Sequence, residues 1–107
     1  MAVVSEAQAA TELTVYTAVE AEDLKKYAKA FNKTNTDIKI KWVRDSTGVV
    51  TAKLLDEKKN PVADVVWGLA ATSLMLLKEE GMTEGYAPKG VGSLDKKFVD
   101  SANPPHW

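Results

Sequence analysis

The sequence predicts an α/β fold of three layers, in which successive β-α-β-α-β-α segments start a parallel sheet. Strand-like segments alternate with segments whose apolar residues recur every three to four positions, as in amphipathic helices. The connections between these segments are short and polar, and such alternation favours parallel strands joined by helical crossovers. A length of 107 residues suits a single domain, which we place at residues 11–107.

The first strand and the first helix carry the clearest patterns. Residues 12–17 are rich in β-branched and aromatic types, which indicates a strand. The acidic residues Glu22 and Asp23 then mark the first turn of a helix, where the helix dipole favours negative charge. Residues 32–35 are turn formers and end this helix. Between them, one apolar stripe is formed by Leu24, Tyr27, Ala28 and Phe31.

The second strand is predicted over residues 38–42, where apolar and charged residues alternate with period two, as at a sheet edge. The run Asp45-Ser46-Thr47-Gly48 is a turn and helix-capping cluster. A second helix follows it to about Lys59, and Pro61 stands just beyond, as is common after a helix end.

The third strand is predicted over residues 63–67, a short apolar run with the composition of a buried central strand. A third helix follows over residues 73–80, with Gly81 just past its end. After Gly81 the regularity fades, and only residues 94–99 could form another short helix or strand. The simplest arrangement of these strands is the order 2-1-3, with the first strand central.

Composition excludes several classes of function. A net charge of -1, with basic residues scattered among acidic ones, argues against a nucleic-acid partner. The absence of cysteine excludes a disulfide framework, a thiolate nucleophile and a cysteine zinc site. His106 is the only histidine, and no nucleophile, base and orienting group come together in the sequence. We therefore expect no enzyme activity, no cofactor and no metal site.

The first ten residues are small and apolar, and two interpretations stay open for them. Ala7-Gln8-Ala9 fits the small-x-small pattern of a signal-peptidase site, although the basic and apolar regions that normally precede such a site are missing. Residues 1–10 are therefore either the remnant of a secretory signal or a flexible, alanine-rich terminus.

The candidate functional residues follow the predicted strands. In open α/β sheets, ligands bind at the carboxyl ends of the strands, beside helix N-termini. Ser46, Thr47 and Gly48 open the second helix, so their hydroxyl and backbone N–H groups could hold an anion. Thr72 and Ser73 offer the same groups at the third helix. The alternative is that these residue types serve only as ordinary helix caps.

Four segments of the sequence resemble a known family of transport proteins. The segments are LTVYTAVEAEDLKKYAKAFNK, DIKIKWVRDSTGVVTAKLL, PVADVVWGLAATSLMLLKEEGM and YAPKG…ANPPHW, and the motifs DSTG, ADVVWG and ANPP are the most specific parts. They resemble the substrate-binding proteins of ABC importers for 2-aminoethylphosphonate, which are type II periplasmic binding proteins related to the ferric-iron binders. The resemblance implies a periplasmic or exported location, an ABC permease as partner and a small anionic ligand, a phosphonate, bound without catalysis. It also implies these ligand-binding residues: Thr17, Ala18, Ser46, Thr47, Gly48, Ala70, Ala71 and Thr72.

Members of that family are much longer than this chain, so the resemblance implies an amino-terminal fragment containing part of lobe one. The third strand would then be an uncovered sheet edge, and a second copy of the chain could pair with it. We therefore expect a homo-oligomer. Two alternatives to phosphonate capture remain open, a ferric-iron or phosphate-ester binder of the same family and a truncated association module that binds no ligand.

Overall fold

The structure, a computed structural model, describes residues 11–107. The interpretations offered for residues 1–10 fall outside this part of the chain. The chain divides into two compact units, Met1–Leu69 and Ala70–Trp107.

Strands and helices alternate in the predicted order. The first unit contains β1 (Thr11–Thr17), α1 (Ala21–Asn32), β2 (Ile38–Arg44), α2 (Thr47–Asp56) and β3 (Val65–Trp67). The second unit contains α3 (Ala71–Glu79) and two short 3-10 turns, Val91–Ser93 and Lys96–Phe98. Within residues 11–107, no helix is long and apolar enough to cross a membrane.

The three strands form one parallel sheet in the order β2-β1-β3, which confirms the predicted order with β1 central. Val15 of β1 stands opposite Trp42 of β2 and Val65 of β3, so these three side chains share one face of the sheet. Tyr16, one residue further along β1, belongs to the opposite face. Helix α1 lies on the face of Val15 and helix α2 on the face of Tyr16, which gives the three predicted layers within the first unit.

A buried tyrosine of β1 connects the sheet to the end of α2. Tyr16 is 1% exposed, and its hydroxyl donates to Glu57 Oε2 at 2.7 Å, just past the end of α2. Lys53 Nζ lies 3.0 Å from Glu57 Oε1. Burial and the nearby carboxylate raise the pKa of Tyr16 to about 12. The Tyr16 and Lys53 hydrogen bonds lower the pKa of Glu57, so this carboxylate stays ionised and keeps α2 fixed to the centre of the sheet.

The α1 face is less well covered. The predicted stripe of α1 does face the sheet, but of its residues only Leu24 is buried, whereas Tyr27 remains 55% exposed. Tyr27 contacts the Trp67 ring edge-to-face, with the ring centroids 4.9 Å apart. An open apolar cavity of about 290 Å³ lies on this face. Its lining residues are Leu13, Val15, Tyr27, Phe31, Ile40, Trp42, Val65 and Trp67.

Several element boundaries differ from the predicted ones, and two of them have a visible cause in the first unit. Strand β3 begins at Val65 instead of residue 63, because the Asp64 carboxylate accepts the Thr14 N–H at 2.9 Å in place of a backbone partner. Helix α2 ends at Asp56 instead of about Lys59. Its last turn tightens, since the Glu57 N–H also donates to Leu54 O, three residues back, at 3.2 Å.

In the second unit, Gly81 adopts φ +70 just after Glu80, the C-cap of α3, which confirms its predicted position past the helix end. The remainder is irregular, as expected, and residues 94–99 contribute only the 3-10 turn Lys96–Phe98. One carboxylate holds the C-terminal segment. Asp100 accepts hydrogen bonds from Lys78 Nζ at 2.9 Å and from the His106 N–H at 3.0 Å. The Lys78 ammonium also lies 5.7 Å from the centre of the Trp107 ring.

Acid is expected to loosen this segment. The hydrogen bond from Lys78, with smaller contributions from the His106 and Ala102 backbones, lowers the pKa of Asp100. A lowered carboxyl pKa contributes stability at pH values above the unfolded-state pKa, and that contribution is lost as pH falls through the folded-state value. The protection factor of the His106 amide, which corrects the exchange rate for its intrinsic pH dependence, should therefore fall as the pH drops below the ordinary aspartate range. In Asp100→Asn, the protection of the His106 amide should be lower at every pH and should lose most of this pH dependence. Protection in the original chain that does not fall as the carboxyl group is protonated would contradict the assignment.

Candidate functional site at the carboxyl ends of the strands

The first loop of the site, residues 18–20 between β1 and α1, is held in place by a buried threonine. Thr17 is fully buried at the end of β1, and its Oγ1 accepts the Val19 N–H at 3.1 Å. The Val19 side chain packs at Gly68, just after β3. Gly68 has φ +72, and a Cβ at this position would overlap Val19 Cγ2. Thr17 therefore shapes the loop, and Ala18 is the half-exposed residue that the loop presents.

The second connection joins β2 to the start of α2, and it adjoins the first. The Asp45 N–H donates to Thr17 O at 3.2 Å. Ser46 is the N-cap of α2, since its Oγ accepts the Val49 N–H at 3.4 Å. The Asp45 carboxylate accepts the Ser46 N–H at 2.7 Å. The predicted helix-capping cluster is thus confirmed, and it brings Ser46 beside the loop that carries Thr17 and Ala18.

The start of α2 offers two open N–H groups. Among residues 11–107, no group accepts a hydrogen bond from the Thr47 or the Gly48 N–H. Gly48 has an ordinary φ, and no atom of the described residues lies within 4 Å of the place where its Cβ would be. Glycine here therefore costs helix stability without relieving a contact with any of these residues. Unpaired N–H groups at the positive end of a helix dipole favour a bound anion.

Arg44, the last residue of β2, connects the two loops. Its Nε donates to Val19 O at 2.6 Å, and its Nη2 lies 3.0 Å from Glu20 Oε2. Glu20 is the N-cap residue of α1, but its side chain makes no capping hydrogen bond and pairs with Arg44. Sequence reasoning missed Arg44 and Glu20. The available signal was the placement of a basic residue at the end of β2, directly before the DSTG motif.

The third connection enters the second unit, where the predicted hydroxyl cap is wrong. Helix α3 begins at Ala71, two residues earlier than predicted, and its N-cap is Ala70, which has no side-chain oxygen. The Ser73 and Leu74 N–H groups donate to the Ala70 carbonyl, so Thr72 and Ser73 lie inside the first helical turn. Ala71 and Thr72 are exposed at this helix start.

The tryptophans at the strand ends lie on the α1 face of the sheet. Trp67 contacts both the Tyr27 and the Trp42 ring, the latter with centroids 5.8 Å apart. Both tryptophans are half-buried, and both line the apolar cavity. Among residues 11–107, no group of three or more His, Asp or Glu residues is arranged to hold a metal ion.

Comparison with known proteins identifies the family to which this chain belongs. Residues 17–105 match the family described as bacterial extracellular solute-binding protein. The match covers most of the chain, so the chain belongs to this family.

Two curated relatives are similar to this chain. A probable ABC transporter periplasmic-binding protein, y4fP of Sinorhizobium fredii, is 37% identical over 62 residues, which is 58% of this chain and 17% of that protein. An uncharacterized protein of Haemophilus influenzae is 30% identical over 102 residues, which is 95% of this chain and 29% of that protein. The chain thus spans less than a third of the length of the relatives it matches.

Solved structures of periplasmic binding proteins share the fold. AfuA from Actinobacillus pleuropneumoniae, with exogenous fructose-6-phosphate bound, has a TM-score of 0.74 and 28% identity, over 81% of this chain and 27% of AfuA. The protein P5PA has a TM-score of 0.73 and 26% identity, over 82% and 28% of the two chains. Iron-bound HitA from Pseudomonas aeruginosa has a TM-score of 0.75 and 22% identity, over 85% and 29%, which bears on the fold alone.

Proposed function

We propose that this chain forms part of lobe one of a periplasmic or exported solute-binding protein, which captures a phosphonate such as 2-aminoethylphosphonate for an ABC permease. The observation that carries the proposal is the start of α2, where the Thr47 and Gly48 N–H groups have no acceptor among residues 11–107 and Gly48 has no side chain. A phosphonate oxygen accepts both N–H groups in this arrangement, and the helix dipole contributes about half a positive charge. The ligand is held without any bond being made or broken.

The charges around this helix start favour a ligand that carries an amine as well as an anion. The Asp45 carboxylate is exposed and lies directly before Ser46, in the loop that leads into α2. It repels a simple anion, but it attracts the ammonium group of an aminophosphonate. AfuA, the neighbour named above with a bound sugar phosphate, supports an oxyanion of phosphorus as the shared part of the ligand.

The remaining site residues have different parts in this proposal. Ala18 lies beside the ligand, and Thr17 acts by holding the loop that carries Ala18. Contacts from Ala70, Ala71 and Thr72 stay a prediction from the family resemblance. The alternatives of a phosphate ester or ferric iron are tested with the same protein, by titrating fructose 6-phosphate and ferric citrate beside 2-aminoethylphosphonate.

The test is a calorimetric or NMR titration of 2-aminoethylphosphonate with matched variants. Binding by the unchanged chain is expected to be weak, on the order of millimolar, because an open site leaves the anion hydrated. Gly48→Ala should stabilise α2 by about 0.5 kcal/mol and yet weaken binding, because the new methyl group lies beside the N–H groups that hold the ligand. Ser46→Ala and Thr47→Ala should also weaken binding, although the loss of the Ser46 cap lowers helix stability as well.

Gly92→Ala is the control, since Gly92 also has an ordinary φ and open space around it but belongs to the second unit. It should leave the affinity unchanged. The site assignment fails if the variants at positions 46–48 titrate like the unchanged chain while Thr72→Ala abolishes binding.

A second candidate function is association without a ligand. The cavity on the α1 face is open and apolar, and Val65 of β3 is 39% exposed. On its outer edge, β3 pairs with no strand in residues 11–107. An unpaired strand edge beside apolar side chains favours pairing with a second copy of the chain. In this alternative, the phosphonate titration gives no heat.

A further inference from the structure

The Arg44 guanidinium is only partly engaged by the chain. Its Nε–H is donated to Val19 O at 2.6 Å, a short bond that fixes the first loop to the end of β2. Its Nη2 contacts Glu20 Oε2 at 3.0 Å. The other guanidinium N–H groups have no acceptor among residues 11–107. Arg44 therefore retains donor capacity at the end of β2, three residues before Thr47.

The Glu20 carboxylate is not held in place by burial. Its side chain is 79% exposed, against 36% for Arg44. It does not cap α1, although Glu20 stands at the N-cap position, and Arg44 is the partner that the structure gives it. An exposed ion pair of this kind contributes little to folding and is easily exchanged for another anion.

We infer that the Glu20 carboxylate occupies the place of the ligand's oxyanion on Arg44, and that the ligand displaces it. This inference rests on the proposed function, since it assigns the group that selects the anion at the same site. Arginine presents planar N–H groups that match the oxygens of a phosphonate as well as those of a carboxylate. The Nε bond to Val19 O stays in place during the exchange, so the first loop keeps its position while Nη2 changes partner.

Substitutions at Glu20 and Arg44 should change the affinity for 2-aminoethylphosphonate in opposite directions. Removing the internal competitor by Glu20→Gln should tighten 2-aminoethylphosphonate binding about two- to fivefold, the range expected for an exposed ion pair. Removing the guanidinium by Arg44→Gln should weaken binding about tenfold or more, because charged hydrogen bonds to the ligand are lost. A purely structural role for the pair would weaken binding in both variants.

Glu22→Gln is the matched control. Glu22 is an acid in the first turn of α1, two residues after Glu20, and its replacement removes the same charge while leaving the contacts of Arg44 in place. It should change the affinity less than about twofold, since exposed charges are screened at physiological salt. In the unchanged chain, the Arg44 Nε–H signal should persist when ligand is added, because the bond to Val19 O is kept.

Three results overturn the inference. If Glu20→Gln and Glu22→Gln increased the affinity equally, the effect would come from net charge alone. If Glu20→Gln weakened binding, the Arg44–Glu20 ion pair would have only a structural role. Unchanged binding by Arg44→Gln would remove Arg44 from the site. If neither the unchanged chain nor Glu20→Gln binds 2-aminoethylphosphonate, the proposed function itself has failed, which is a different outcome from binding that does not respond to Glu20.

Discussion

Gly68→Ala is expected to destabilise the first unit by about 2–4 kcal/mol. Gly68 has φ +72, which an alanine adopts only at a cost, and the added Cβ would overlap Val19 Cγ2. Val19 cannot move away freely, because its N–H is bound to Thr17 Oγ1 and its carbonyl to Arg44 Nε. The substitution should therefore displace the first loop of the site as well as lower the free energy of unfolding. Urea denaturation measures this loss.

Two controls separate backbone strain from the steric contact. Gly81→Ala imposes a similar backbone cost at φ +70, but in the described part of the chain no atom lies within 4 Å of the added Cβ. It should cost only about 1 kcal/mol. In a Val19→Ala background, which removes the overlapping methyl group, Gly68→Ala should cost much less than in the unchanged chain. An equal cost in both backgrounds would show that Val19 is not what requires glycine at position 68.

Val66→Lys is expected to convert an associated chain to monomers. Val66 is the middle residue of β3, whose outer edge has no strand partner within residues 11–107. A second copy that pairs there would bring the lysine of each chain into the interface, and a buried, unpaired charge costs several kcal/mol. Sedimentation velocity at tens of micromolar measures the change in mass.

Val62→Lys is the matched control, because Val62 is 54% exposed and precedes β3. It should leave the association unchanged. A compact, stable monomer of the unchanged chain at tens of micromolar would refute association through β3.

The alternation of elements could be predicted from the sequence because each signal is local. The stripe from Leu24 to Phe31 identifies α1, and the period-two run from Ile38 identifies β2. Ser46 was placed correctly at the start of α2, since serine is a preferred N-cap. The same rule failed at α3, where Ala70 is the N-cap and Thr72 lies inside the helix. Preference for a residue type at a helix start does not determine where the backbone begins to turn.

The contacts that shape the candidate site depend on residues far apart in the sequence. Nothing local to Arg44 indicates that its guanidinium meets Val19 and Glu20, because this contact exists only once β1 and β2 are paired. The requirement for glycine at position 68 likewise arises from Val19, on a different connection. The sequence predicted that the site lies at the carboxyl ends of the strands. The side chains that fix the loops of the site could be identified only from the paired strands.

The central claim is that the start of α2 holds a phosphonate. The most direct measurement is an NMR titration of 2-aminoethylphosphonate into the unchanged chain, with the backbone amide signals of residues 11–107 followed. The amide protons of Thr47 and Gly48 should show the largest chemical-shift changes. These changes should be downfield, because both protons gain a hydrogen bond to a charged acceptor. The Trp42 and Trp67 signals of the apolar cavity should move little. Shifts confined to the cavity, or none at Thr47 and Gly48 under conditions where binding is detected, would contradict the claim.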